Sequence, residues 1–342
     1  GASRPPRKPP HLSSALRAML LALALLLAIL LLPLFYSTLR YRERIHAALF
    51  RAKAPASYRT AQLSDGVTAY QQNDDGNKHT IVVIHGGSLG SIAFLPFAEE
   101  LRTLGHNVIV YDGYGRGYSD RLHDQPITMA LLVRQLLELL DHLGRTKRVV
   151  LYGSSLGGAV AAAFAARHPE RVAAIGFEAP VVGSPTLRAL SLLRLPLLGA
   201  WLARVLLVPM AIQRGENIGI DEAGRAAAKH FVEQFAVIGH RNDLVSLLLN
   251  DAITGDRMAD HAAIAALDLP VHFAYALDDH ECPRDAVEAA IALHKNATVR
   301  AYTGGHFFTN GRHSELAREF AQRLVSVKGS GRRRSSSPAR RR

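Results

Sequence analysis

A hydroxyl that attacks a carbonyl needs exposure, a base to take its proton, and donors to hold the negative charge it creates. The segment 149–159, VVLYGSSLGGA, offers the hydroxyl. In the pattern Gly-x-Ser-x-Gly the glycines stand two residues to either side of the reactive serine. Gly153 and Gly157 do so for Ser155, while Ser154 fills the tolerant x position. The reason is steric: such a serine sits on a strained strand-to-helix turn, and only small neighbours let the backbone cross so closely. The helix that follows directs its first N–H groups and its positive dipole end at the place where an oxyanion would form. Further along, ALDDHECP puts Asp278 and Asp279 after the apolar run VHFAY, and YTGGHFF puts His306 after VRAY. The order Ser…Asp…His thus offers nucleophile, orienting acid and base, with either aspartate eligible.

Elements must hold these residues in place. Short β-rich runs alternate with helical patterns, which predicts an α/β fold with a mostly parallel central sheet flanked by helices on both faces. TAQLSDGVTAYQQN (60–73) alternates around an Asp-Gly turn and reads as an opening hairpin. HTIVVIHGG (79–87) reads as a buried strand ending in glycines, and NVIVYDGYGRGYSD (107–120) as a strand entering a glycine-rich loop. Pro126 to Leu143 has helical periodicity behind a first-turn proline. Strand 148–152 leads into a helix from Ser155 to about Arg167; 172–180, 269–279 and 297–306 supply further strands, and a helix closes the pattern at roughly Ser314–Val327. No internal repeat is evident. From Val182 to Asp268 the strand rhythm stops and helical segments take over, which reads as a cap inserted over the sheet edge. Its leucine-rich part, 186–210, could pack as an ordinary helix pair, line an apolar pocket, or dock on a membrane with Arg188, Arg194 and Arg204 at the head groups.

Charge separates the ends from the body. The net charge of +12 suggests nucleic acid or anionic lipid until it is divided. Residues 1–60 carry ten Lys/Arg and one acid, and 328–342 carry seven Lys/Arg and no acid, leaving 61–327 with 24 basic against 28 acidic residues. The body is mildly acidic and has no nucleic-acid signature. Ala18 to Tyr36 is apolar almost throughout and long enough for a bilayer-spanning helix at about 1.5 Å per residue. It predicts an uncleaved single-pass membrane anchor, with lysine and arginine on both flanks leaving the orientation open. The stretch 328–342 has one alanine as its only apolar residue and is expected to be disordered. With 48% hydrophobic residues the chain can build a large core, and one cysteine, Cys282, excludes an intramolecular disulfide. The expected organisation is a basic segment (1–15), an anchor (16–36), a basic linker (37–60), a core (61–181 and 269–327), a helical cap (182–268) and an Arg-rich tail (328–342).

Four signatures in order, HGG (85–87), DGYGRGYSD (112–120), GSSLG (153–157) and the Asp–His pair, resemble the α/β-hydrolase superfamily, most of all its capped esterases and monoacylglycerol-lipase-type members. The resemblance runs from about Gln62 to Val327. It implies the α/β-hydrolase fold, Ser155 as nucleophile and His306 as general base and acid. The family's G-x-x-D-x-x-x-P spacing favours Asp279, four residues before Pro283, although Ala276 replaces the usual glycine and Asp278 adjoins it. It also implies backbone oxyanion donors at Leu156 and Gly87, with His85 bracing that loop and no metal or organic cofactor. No Cys/His cluster has zinc-ligand spacing, GYGRG lacks the Lys-Ser/Thr of a phosphate loop, and no motif supports Cys282 as a nucleophile. His280 and His313 read as exposed helix or loop residues. The implied activity is hydrolysis of carboxylic esters, with apolar acyl or lipid esters suggested by the leucine-rich cap and the anchor; the implied partners are the ester substrate and the bilayer. Two other readings stay open. One is a C–C bond hydrolase or perhydrolase-like enzyme on the same triad, and the other is a hydrolase-like binding module without turnover.

Overall fold

Eight strands form one sheet: β1 (Arg59–Gln62), β2 (Val67–Gln72), β3 (Thr80–Ile84), β4 (Asn107–Tyr111), β5 (Val149–Ser154), β6 (Val172–Glu178), β7 (Val271–Ala276) and β8 (Thr298–Tyr302). The computed structural model describes residues 13–330 other than 77, 124, 184–191, 217, 219, 220 and 268. The spatial order is β1-β2-β4-β3-β5-β6-β7-β8. β2 runs antiparallel to both β1 and β4, and the remaining neighbours are parallel. This is the mostly parallel sheet predicted from the alternation of strand and helix patterns.

The apolar strands are continuous because both faces are covered. On β3, Ile81 and Val83 pack with Phe97 and Leu101 of the helix Leu95–Thr103 and with Phe320 of the closing helix His313–Ser330. Val82 and Ile84 point the other way, into a core shared with the helices Met129–His142 and Leu156–Arg167. The helix expected from Pro126 begins only at Met129. Thr128 caps it by accepting from the Leu131 N–H at 3.2 Å, while the Ile127 N–H is taken by Ser246 Oγ at 2.8 Å.

Among the described residues between β6 and β7 there are helices and no strand of the sheet. Pro196–Leu202 runs through a π-helical stretch, Ala203–Leu207, into Val208–Glu216; Glu222–Gln234 and His240–Leu249 follow. Met258–Ala266 is different in kind. Its Ile264 belongs to the main core, against the helix Leu156–Arg167. Arg188, read as a head-group contact, lies outside the described residues, as do 1–12 of the basic segment and 331–342 of the tail.

The basic stretch after the apolar helix Ser14–Arg40, expected as a linker, packs against the body. Phe50 is buried with Ala69, Tyr118 and Val237, and Ile45 forms an isolated parallel bridge to Val237. Glu43 accepts from the Gly239 and Arg241 N–H groups. Phe50 anchors the segment, with Ile45, Ala47, Ala54 and Tyr58 packed around the same cluster.

Candidate active site

Ser155 follows the last residue of β5 and precedes the helix Leu156–Arg167, with φ 53° and ψ −117°. A side chain in this left-handed region is strained, and the surroundings hold it there. The Ser155 N–H donates to the Glu178 carbonyl at 2.8 Å, and its own carbonyl accepts from the Val181 N–H at 3.0 Å. The flanking glycines are required by contact. A Cβ on Gly153 would lie 2.2 Å from the Gly157 carbonyl oxygen, and one on Gly157 would lie 2.0 Å from that of Ile84.

Three residues from three strand ends meet here. His306 Nε2 lies 3.1 Å from Ser155 Oγ, and His306 Nδ1 lies 2.8 Å from Asp279 Oδ2. Asp279 is 6% exposed, and its Oδ1 accepts from the N–H groups of Glu281 and Cys282 at 2.8 and 3.0 Å. These donors fix one carboxylate oxygen and leave the other, Oδ2, pointed at the imidazole. Asp278 is exposed and faces elsewhere: it accepts from the N–H groups of Gly304 and Gly305, which holds its carboxyl below the usual carboxylate range. Burial opposes charge on His306, but hydrogen bonds to Asp279 and Cys282 outweigh it and push the imidazole up to about 9.

The loop after β3 crosses beside the serine. A Cβ at Gly86 would come within 3.2 Å of Ser155 Cβ. His85 is buried and bridges two loops, with Nδ1 2.6 Å from the Gly86 carbonyl and Nε2 accepting the Gly113 N–H at 2.8 Å. Burial pushes its imidazole down, which suits a neutral brace. Gly87 and Leu156 both line the cavity over Ser155.

Composition and motif did not point to several residues that shape the site. Glu178, at the end of β6, is 3% exposed and accepts from Tyr152 Oη at 2.6 Å and Ser154 Oγ at 2.8 Å. The hydroxyl of Ser154 is thereby committed, leaving that of Ser155 to face His306. An acidic residue inside the apolar run VAAIGFEAP was the available signal. Arg116, buried in the glycine-rich loop, donates through Nε to the Gly87 carbonyl and so fixes the loop that carries it. Arg214, from the helix Val208–Glu216, pairs with Glu281, and its guanidinium carbon stands 5.1 Å from the centre of the Phe307 ring. His280 is exposed on a turn, as read from the sequence. His313 is not: it is half-buried, lines the cavity and meets Phe94 edge-on.

The cavity measures about 380 Å³ and is walled on the cap side by Leu244, Leu247, Leu248 and Ile253. Arg214 is the one Lys or Arg among its described lining residues, and it is already paired with Glu281. Asp279, Cys282 and His306 bring a carboxylate, a thiol and an imidazole ligand atom within 4.8 Å of one another. The hydrogen bond between Nδ1 and Oδ2 occupies two of those three donors, an arrangement suited to proton handling.

Comparison with known proteins agrees with the fold. A family model described as the alpha/beta hydrolase fold matches residues 79–205. A 2-hydroxy-6-oxononadienedioate/2-hydroxy-6-oxononatrienedioate hydrolase of Cupriavidus pinatubonensis is 33% identical over 137 residues, covering 38% of this chain and 47% of the relative. The chain thus spans about half the length of that curated relative. Among solved structures, the enol-lactonase from Burkholderia xenovorans LB400 superposes with a TM-score of 0.65 at 18% identity, covering 78% of this chain and all of that one. A membrane phospholipase A described as a novel bacterial virulence factor superposes at 0.62 and 20% identity, covering 91% of this chain and 99% of that one. The chain has the α/β-hydrolase fold, with a mostly parallel eight-stranded sheet flanked by helices.

Proposed function

We propose that the chain is a serine hydrolase acting on carboxylic esters with an apolar acyl group. The observation that carries this reading is the hydrogen-bonded line from Ser155 Oγ through His306 to buried Asp279, beneath an apolar cavity. His306 takes the hydroxyl proton as Oγ attacks the acyl carbon. Backbone N–H groups of Leu156 and Gly87 receive the oxyanion, each lowering the barrier by about 3 kcal/mol. The imidazolium, held by Asp279, then gives its proton to the leaving alcohol. Water repeats the sequence on the acyl-enzyme: His306 takes its proton, the C–O bond to Ser155 breaks, and the acid leaves with the serine hydroxyl restored.

The second reading, cleavage of a C–C bond, is favoured by the Cupriavidus relative, whose substrate carries two carboxylates and no ester. The cavity lining supports the ester instead. Its cap-side wall is Leu244, Leu247, Leu248 and Ile253, and its single Lys/Arg side chain among the described residues is paired with Glu281. Rates on p-nitrophenyl esters of increasing acyl length, beside a 2-hydroxy-6-oxodienedioate, separate the two. The ester reading requires kcat/KM to rise from acetyl to decanoyl; dienedioate turnover with negligible ester turnover overturns it.

A bilayer anchor forms part of this proposal. Ser14–Arg40 is 27 residues long, and none of its most apolar window is buried within the chain. Likeness to a membrane phospholipase A over 91% of the chain supports the same reading.

A further inference from the structure

The apolar helix Ser14–Arg40 does not stand apart from the cap. The indole N–H of Trp201 donates to the Leu30 carbonyl at 2.8 Å, and Ser37 Oγ donates to the carbonyl of Arg204, within the π-helical stretch Ala203–Leu207. Ser37 is buried in this contact. Small residues and polar groups bonded across a helix pair are what hold helices together in hydrocarbon, where an unpaired N–H or hydroxyl is costly.

Depth follows from counting residues. Leu30 lies ten residues before Arg40, about 15 Å along the helix and half the thickness of a hydrocarbon core. If Arg40 and Tyr41 mark the head-group level, Trp201 sits near mid-bilayer and exposed Arg204, beside Ser37, within one turn of the head groups. The residues around Trp201 suit that depth: Leu192, Leu195 and Leu198 are exposed, and Leu197 is 89% exposed. Arg194, the one charged residue in 192–203, has its guanidinium bonded to the Leu249 carbonyl. The continuous helix Leu197–Gly215 is itself long and apolar enough to meet the length and composition of a membrane span.

A second cavity, of about 490 Å³, opens beside this helix at Leu207, Met210 and Ala211; it shares Ser88, Arg214 and Leu248 with the cavity over Ser155. Met210 is 66% exposed. The cavity at Met210 therefore adjoins the one over Ser155, and the two meet at Leu244, Leu248 and Ile218.

We propose that the cap's leading helix is immersed in the same bilayer as Ser14–Arg40, and that a single-chain acyl lipid passes from that bilayer along the Met210 groove to Ser155. This rests on the ester-hydrolase and anchor readings above, and names the partner surface and the substrate source. The occupant is a lipid bilayer because the leucines continue the apolar face of the anchor, and because the polar groups of Trp201 and Ser37 are paired within the chain.

Trp201 is the only tryptophan in the chain, so its fluorescence reports depth directly. The full chain is reconstituted in phosphatidylcholine vesicles with and without mid-chain brominated phosphatidylcholine. Immersion requires emission to fall by about two-fold or more with the brominated lipid, with little quenching by aqueous acrylamide. Vesicle-bound protein quenched by acrylamide and not by brominated lipid overturns the proposal while leaving the anchor intact. A second arm uses Leu197→Glu combined with Leu198→Glu. Hydrolysis of vesicle-embedded monoacylglycerol is expected to drop by about ten-fold or more, with turnover of a water-soluble butyrate ester unchanged. Equal turnover of embedded lipid by wild type and variant counts against lateral delivery. Absence of butyrate turnover in the wild type refutes the hydrolase reading, whatever the quenching shows.

Discussion

Asp278 and Asp279 are neighbours in the chain, and one bonds the loop that carries His306 while the other bonds the His306 ring itself. Asp279 meets the imidazole Nδ1 at 2.8 Å, while Asp278 gathers the N–H groups of Gly304 and Gly305 in the loop that delivers it. Both glycines have left-handed φ values, 122° and 65°, so the loop takes a course that larger residues resist. One aspartate orients the ring, and the other fixes its approach.

The two aspartates therefore predict different losses. Asp279→Asn leaves Nδ1 without its charged acceptor and is expected to lower kcat by about 10⁴ on a p-nitrophenyl ester. Asp278→Asn removes only a loop tether and is expected to cost less than about ten-fold. Steady-state kinetics on variants with unchanged circular dichroism checks both; equal losses contradict the assignment.

His306 must be neutral to accept a proton. With its imidazole pushed up to about 9, kcat/KM is expected to rise with pH and level off only above that value. The same shift has a consequence for folding. A histidine whose folded value lies above its unfolded one contributes stability below about pH 6.5, and this is lost as pH rises through about 9. A kcat/KM profile already flat at pH 6 contradicts the prediction.

Arg214 governs the carboxylate that stands nearest the reacting face of His306. Glu281 Oε2 lies 3.9 Å from Nε2, while its other oxygen is held by Arg214 from the cap. Arg214→Gln frees Glu281 to approach the imidazole and is expected to move the acidic limb of kcat/KM upward by about half a pH unit. Adding Glu281→Gln is expected to return it. An unmoved limb in Arg214→Gln, or a shift that persists in the double variant, removes Arg214 from this role.

Gly157→Ala tests the backbone crossing. Its Cβ would stand 2.0 Å from the Ile84 carbonyl oxygen, so the turn cannot accept it without shifting β3 or β5. A loss of about 3 kcal/mol or more in chemical denaturation is expected. Near-wild-type stability would mean that the turn is looser than described.

The legibility of this chain followed the range of the forces involved. Gly153, Ser155 and Gly157 were readable because the backbone crossing that demands them is local, and the strand–helix alternation was readable because both sheet faces are buried. Residue types alone left Asp278 and Asp279 open, and the preference for Asp279 came from the family's spacing to Pro283; which carboxyl faces the imidazole depends on the course of the β7 and β8 loops in space. Glu178, Arg116 and Arg214 have partners 24, 29 and 67 residues away, and no spacing rule connects them. For the stretch after Arg40 the sequence shows an excess of base over acid, whereas burial of Phe50 and backbone bonds to the cap set its place. His313 was misread because a histidine near a helix start looks solvated until the cavity wall behind it is known.

The central claim is that Ser155 Oγ is the atom that attacks. Incubation with a fluorophosphonate probe, followed by intact mass and peptide mapping, tests it most directly. The account predicts one covalent adduct per chain, on Ser155, formed by wild type, absent from Ser155→Ala and slowed strongly in His306→Ala. A folded wild-type protein that takes no label, or one labelled at Ser154 or Cys282 instead, contradicts it.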